Sequence, residues 1–163
     1  MATAHTLTGI VPSQARSWLA TDASWLPTLN RIGLGLVMFP HGAQKLLGWF
    51  GGYGLSGTLG WLTGAVGLPL PVALLVVAAE SLGALALLFG AGTRLAASGV
   101  LAVMLGAVAT THWSNGFFMN WEGTQAGEGF EFHLAVATMA LGAILAGGGR
   151  ASVDRWLESR RSA

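Results

Sequence analysis

Cysteine is absent, tyrosine occurs once, and only 9% of the 163 residues are charged. Without a thiol there is no disulfide, no thiolate nucleophile, no thiolate metal site and no palmitoylation, whichever compartment the chain occupies. A soluble domain of this length carries roughly a quarter of its residues as charges, so the scarcity points to a bilayer as the solvent. The formal net charge of +1 gives no reason to expect a nucleic acid partner. A basic n-region is missing, and the run Leu7 to Pro12 is too short for the h-region of a cleavable signal peptide, so Met1 is expected to stay. The sequence has no phosphate loop, nucleophile elbow or HExxH motif, and its Gly-rich stretches lack the strand-turn-helix setting of a dinucleotide fingerprint.

What remains is 53% hydrophobic, with 25 Gly and 7 Trp, and its few charges are unevenly spread. Between residues 32 and 149 stand just Lys45, Glu80, Arg94, Glu122, Glu128 and Glu131. Four apolar segments follow one another, at about 29–50, 68–89, 93–113 and 130–148, each near the ~20 residues that a helix needs to cross ~30 Å of hydrocarbon. Pro69 and Pro71 fall in the first turn of the second, where a missing N–H does no harm. The tight Gly90-Ala91-Gly92 turn makes the second and third an antiparallel hairpin. The expected fold class is therefore all-α: a polytopic membrane protein built as a four-transmembrane-helix bundle over residues 29–148. Residues 1–28 are expected to form a cytoplasmic segment with an interfacial helix, and 149–163 a basic cytoplasmic tail.

Arg16, Arg31, Arg94, Arg150, Arg155, Arg160 and Arg161 all fall on one side of such a bundle, and the two connections on the other side contain no Lys or Arg. The positive-inside rule then places both termini in the cytoplasm. Trp18, Trp25 and Trp156 fall at the inner boundary, and Trp49, Trp61, Trp113 and Trp121 at the outer one. Small residues recur four apart, as Ala79 and Gly83, Ala102 and Gly106, and Thr138, Gly142 and Ala146, the kind of face through which helices approach in lipid. Leu55, Leu59, Leu62 and Val66 share one face of a potential short helix in the first outer connection, which otherwise reads as a glycine-rich loop. At the C-terminus Val153, Trp156 and Leu157 share a face beside arginines suited to anionic headgroups, which reads as an anchor.

Ionisable groups inside membrane segments are costly and face a bundle interior, a partner or a wet cavity. They are His41, Gln44 and Lys45 on the first segment, Glu80 on the second, His112 on the third, and Glu131 and His133 on the fourth. At 1.5 Å per residue His41 lies roughly 15 Å along from Arg31 and Glu80 roughly 16 Å from Pro69, so both sit near the midplane. His41, Gln44 and Lys45 can share a helical face. Each has a structural reading: Lys45 and Glu80 as an ion pair fixing register, His41 donating to a carbonyl freed by Pro40, His112 and His133 as interfacial residues. Their convergence from four helices on one half of the bundle favours a ligand or redox site. Glu80, His41 and Lys45 are the candidates for proton handling and carbonyl binding. Imidazole and carboxylate at His112, Glu131 and His133 are weak candidates for a metal, because Glu131 and His133 are two apart. The apolar stretch from His112 to Trp121, with Phe117, Phe118 and Trp121, reads as a lid over the bundle mouth, or else as a surface for a partner.

At these residues the sequence resembles the DoxX family of small four-helix bacterial membrane proteins. The resemblance runs from about Arg31 to Leu157, on Arg31-Ile32-Gly33, His41-Gly42-Ala43-Gln44-Lys45-Leu46, Glu80-Ser81-Leu82-Gly83, Gly92-Thr93-Arg94-Leu95-Ala96-Ala97, Asn115-Gly116-Phe117-Phe118-Met119-Asn120-Trp121, Gly127-Glu128-Gly129-Phe130-Glu131-Phe132-His133 and Gly147-Gly148-Gly149-Arg150-Ala151-Ser152-Val153-Asp154. Members are commonly labelled oxidoreductases by similarity to a subunit of an archaeal thiosulfate:quinone oxidoreductase, and others are linked to quinone or oxidative stress. The resemblance implies a bacterial cytoplasmic-membrane setting and a redox-associated subunit that takes a quinone or similar lipophilic ligand, with no thiol chemistry. A soluble or membrane redox partner would bring the electron donor, and homo-oligomerisation stays open. The competing readings are a non-catalytic accessory subunit and a small-solute permease, the latter weakened by the lack of an inverted repeat.

Overall fold

The computed structural model describes residues 19–161, which are helical with no strand among them. Helix α1, Trp25–Leu47, runs through Pro40 and ends where Gly48 turns into the left-handed region. A one-turn 3-10 segment, Trp49–Gly51, leads to α2, Gly54–Gly64. Helix α3, Leu70–Phe89, starts after Pro69, and α4, Thr93–Ala107, follows the three-residue turn. A π turn, Val108–His112, and a 3-10 turn, Trp113–Asn115, prolong α4. Helix α5 is Glu131–Ala146 and α6 is Val153–Arg161. The expected interfacial helix before residue 29 falls largely on residues 1–18, outside the described residues, as do Arg16 and Trp18.

Four helices pack in the cyclic order α1, α3, α4, α5. Leu34, Met38, Leu87, Val100, Val136 and Ala140 fill the space between them, all 2% exposed or less. Helix α3 and the span Thr93–Asn115 are long and apolar enough to cross a membrane; α5 is apolar but has 16 residues, and α1, at 23, carries Arg31 and Lys45. The first connection forms a helix, and its apolar face is turned inward: Leu62 is buried against Ala73 and Val77, with Leu59 and Val66 beside it. Packing on α3 thus takes up three of the four residues expected to lie in the interface.

Two ends can be distinguished. The loop end carries residues 48–69 and 108–130; the terminal end carries the α3–α4 turn, residues 19–24 and residues 147–161. At the terminal end Arg31 is buried, 2% exposed. Its guanidinium donates to the carbonyls of Gly148 (2.6 Å), Leu87 and Leu88 (both 2.7 Å), and Ala151. Asp154, 1% exposed, accepts from the N–H groups of Gly92 (2.6 Å) and Thr93 (2.8 Å), while its own N–H donates to Gly90 O. The carboxylate therefore caps the start of α4, where free N–H groups and the helix dipole favour an anion. Arg94 closes the other side on Ala20 O and Ile144 O. The tail is thus locked into the bundle as well as carrying its exposed Trp156. Replacing Asp154 with Ala strands two buried N–H groups and is expected to cost about 2–3 kcal/mol, with Asp154→Asn losing less; reversible unfolding in mixed detergent micelles would measure both.

Candidate functional site

The deepest charges meet because two helix backbones touch. A Cβ added to Gly42 on α1 would run into the backbone of Glu80 and Ser81 on α3, so glycine is what permits this approach. The contact places Lys45, one turn beyond Gly42, against Glu80. Lys45 Nζ and Glu80 Oε2 form an ion pair, with Glu80 4% exposed. Ser81 turns its hydroxyl back to Val77 O at 2.5 Å and makes no claim on the carboxylate. His41, one turn before Lys45, lies within electrostatic range of both partners and packs its ring against Phe132, 5.4 Å between centroids.

Toward the loop end the histidines pair. The π turn brings His112 over the first turn of α5, so that the His112 and His133 rings stand 4.1 Å apart, centroid to centroid. A π insertion of this kind rotates the residues that follow it and is frequent at functional sites. His112 Nδ1 is hydrogen-bonded to Glu128 O at 2.8 Å, whereas His133, 8% exposed, has its Nδ1 buried without a hydrogen-bond partner.

These groups border a cavity of about 980 Å³ between α3 and α4, closed at the back by α1 and α5 and at the side by α2. His41, Lys45, Glu80, His112 and His133 line it, and the rest of the wall is mostly apolar. Ala79 and Gly83 on α3, and Gly99, Ala102 and Gly106 on α4, give the wall its small side chains. Ala79 and Gly99 also touch across the two helices, as expected for a small-residue face, but nothing lies within 4 Å of a Cβ at Gly106. That end of the stripe borders open cleft instead of closing a helix contact.

The other predicted site residues lie elsewhere. Gln44 donates to Phe50 O at 3.2 Å and braces the turn after α1. Glu131 Oε1 accepts from Met119 N at 3.1 Å, and Glu128 Oε2 from Asn120 N at 2.7 Å. Gly129 lies under the carbonyls of Gly116, Phe117 and Phe118. These contacts turn the loop's backbone toward the bundle and its rings away from it. Phe118 and Trp121 are accordingly 68% and 85% exposed, while Phe117 packs on Phe118 and Phe130. The loop does cover the mouth, through Met119 and Glu128 rather than through its aromatic side chains. Among the described residues no group of three or more His, Asp or Glu side chains is arranged to hold a metal ion, so His112, Glu131 and His133 do not assemble as a ligand set.

The DoxX family model matches residues 26–113. The chain belongs to the DoxX family. It is an all-α membrane protein, and the DoxX match takes in His41, Gly42, Lys45, Glu80 and His112, whereas Glu131 and His133 lie beyond it. No curated protein and no solved structure matches the chain. Sequence reasoning missed Gly42 as the residue that joins the site, although its place beside His41 and three before Lys45 was the available signal; it also missed Trp61 and Glu128 as lining.

Gly42→Ala is expected to force α1 from α3 at a cost of about 1–3 kcal/mol and to weaken the Lys45–Glu80 coupling, read from a double-mutant cycle with Lys45→Met and Glu80→Gln. Gly106→Ala, with open space around it, is expected to be neutral or to stabilise by up to about 1 kcal/mol.

Proposed function

We propose that this protein is a redox-associated subunit of the bacterial cytoplasmic membrane, crossing it four times with both termini inside, and that it binds a quinone or similar lipophilic carbonyl compound in the α3–α4 cleft. The observation that carries this reading is the cavity of about 980 Å³, apolar along most of its wall, with Lys45, Glu80 and His41 at its back. Ligand pockets of roughly 300–1,000 Å³ with a few convergent polar groups in apolar walls are the usual form of a small-molecule site. The donor set suits the ligand: Lys45 and His41 are positioned to donate to a carbonyl oxygen, and Glu80 to exchange a proton with it. A quinone, when bound, supplies reversible uptake of two electrons and two protons. The chain's own part is to orient the head against Lys45, to keep bulk water from the Glu80 side and to hold the tail in the cleft. The electrons would come from a partner subunit.

Orientation rests on the arginines. Arg31, Arg94 and Arg150 gather at the terminal end, and Lys45 is the one Lys or Arg of the described residues on the loop-end half, as the positive-inside rule requires of a cytoplasmic terminal end. A second reading, a non-catalytic accessory subunit, is favoured by the exposed aromatic side chains at the loop end, where Trp113, Phe118 and Trp121 are each at least 68% exposed. Recovery of the protein always alone from mild detergent would count against this second reading.

Quinone binding is testable on purified protein by fluorescence titration with a short-chain quinone analogue. Glu80→Ala and His41→Ala are each expected to weaken binding about tenfold or more, the loss of one hydrogen bond to a charged group. Gly106→Trp is expected to abolish binding by filling the cleft. Binding unchanged in all three variants would end this reading.

A further inference from the structure

The ionisable groups of the bundle are arranged in one direction. Starting from the Lys45–Glu80 pair, His41 lies within electrostatic range of both, and His133 within range of His41, Lys45 and His112. His112 is half-buried at the loop end, its ring 4.1 Å from that of His133. From Glu80 toward the terminal end the cleft continues along Gly83 and Ala86 to Ala91, Gly92 and Leu95, but this stretch of its wall is apolar and carries no ionisable group. Arg31 and Arg94 are spent on backbone carbonyls and cannot be deprotonated in a protein, and Asp154 is held by two N–H groups. The hydroxyls of Ser81 and Ser98 donate to the carbonyls one turn back on their own helices.

From this asymmetry we infer that His133 and His112 are a proton conduit that connects the Lys45–Glu80 head of the cleft with the loop-end face of the membrane, and with that face alone. Chains of His and carboxylate side chains are the form that intramembrane proton relays take. The groups around His133 are His112 on the π turn and His41 and Lys45 on α1, with Glu80 on α3 and Glu128 at the loop lining the same cleft. A proton leaving Glu80 or the ligand head is taken up by His41 and passes to His133 across the cleft that both line. It then moves to Nε2 of His112, whose Nδ1 is engaged with Glu128 O, and from there to bulk water. One proton enters and one leaves each ring, and no electron moves. The buried Nδ1 of His133 has no fixed partner in the protein, so it is available to a proton that reaches the ring.

The purpose of the conduit rests on the proposed quinone site, but its existence is tested without ligand. In proteoliposomes carrying the protein in one orientation, with ¹³C-labelled histidine, the infrared band assigned to His41 by its loss in His41→Phe is followed after a pH jump on one side of the membrane. In the wild type this band is expected to follow jumps at the loop-end side and to ignore those at the terminal side. In His133→Phe the response is expected to slow by roughly 100-fold, the lower end of what a positioned acid–base group contributes. His112→Phe, at the half-exposed mouth, carries the same expectation if His133→Phe does not fold. A wild-type response to jumps on the terminal side, or responses as fast in the folded variants as in the wild type, would overturn the conduit. Should His41 follow the loop-end side in a protein that binds no quinone, the conduit stands and the proposed ligand falls.

Discussion

A carboxylate at the centre of an apolar helix costs several kcal/mol unless an opposite charge stands against it, and in this protein that pairing depends on the contact between α1 and α3 at Gly42. Every other arrangement at the cleft follows from this contact. With α1 seated on the Glu80 backbone, Lys45 reaches the carboxylate, and His41 is carried to the back wall of the cavity beside Phe132. Removing the Lys45 charge leaves the Glu80 carboxylate buried without compensation, which ties the register of the helices to the integrity of the site.

Stability and function are separated along the bundle. The terminal end is closed by saturated polar contacts: Arg31 on four carbonyls, Asp154 on two N–H groups, Arg94 on the carbonyls of Ala20 and Ile144. Such groups have no capacity left for a ligand. The loop half keeps unsatisfied capacity in His133 Nδ1 and in the lining donors of the cleft, which runs on along α3 and α4 to Ala91 and Gly92 as an apolar groove; at the terminal end the buried Thr93 hydroxyl is without a hydrogen-bond partner. A rigid base with an open, chemically unfilled upper half is the arrangement expected of a scaffold that holds a site within close tolerances.

The outer loop shows how carboxylates can organise backbone instead of chemistry. Glu128 and Glu131 sit beside the two histidines yet spend their oxygens on Asn120 and Met119 N–H groups. Together with Gly129 beneath the carbonyls of residues 116–118, they fix the mouth of the cleft and leave the aromatic rings facing away. Proximity to the histidines alone would have suggested a metal site; the hydrogen bonds decide against it.

Composition and periodicity by themselves determined the solvent, the helical class, the α3–α4 hairpin and the identity of the few polar residues that matter, because lipid tolerates so few of them that each is conspicuous. The family was legible too, in the order of pieces such as His41-Gly42-Ala43-Gln44-Lys45 and Gly92-Thr93-Arg94, both within the matched residues. What the chain did not reveal one residue at a time was partnership. Arg31 and Glu80 look alike as intramembrane charges, yet one is saturated by carbonyls 56 to 120 residues away in sequence and the other lines a cavity. Only tertiary structure decided that Gly42 is a contact, that Gly106 is open space and that Phe117, Phe118 and Trp121 turn away from the cleft. The physical reason is that a side chain's role in a bundle depends on which backbone groups of other helices reach it first, and that is set by helix approach rather than by local sequence.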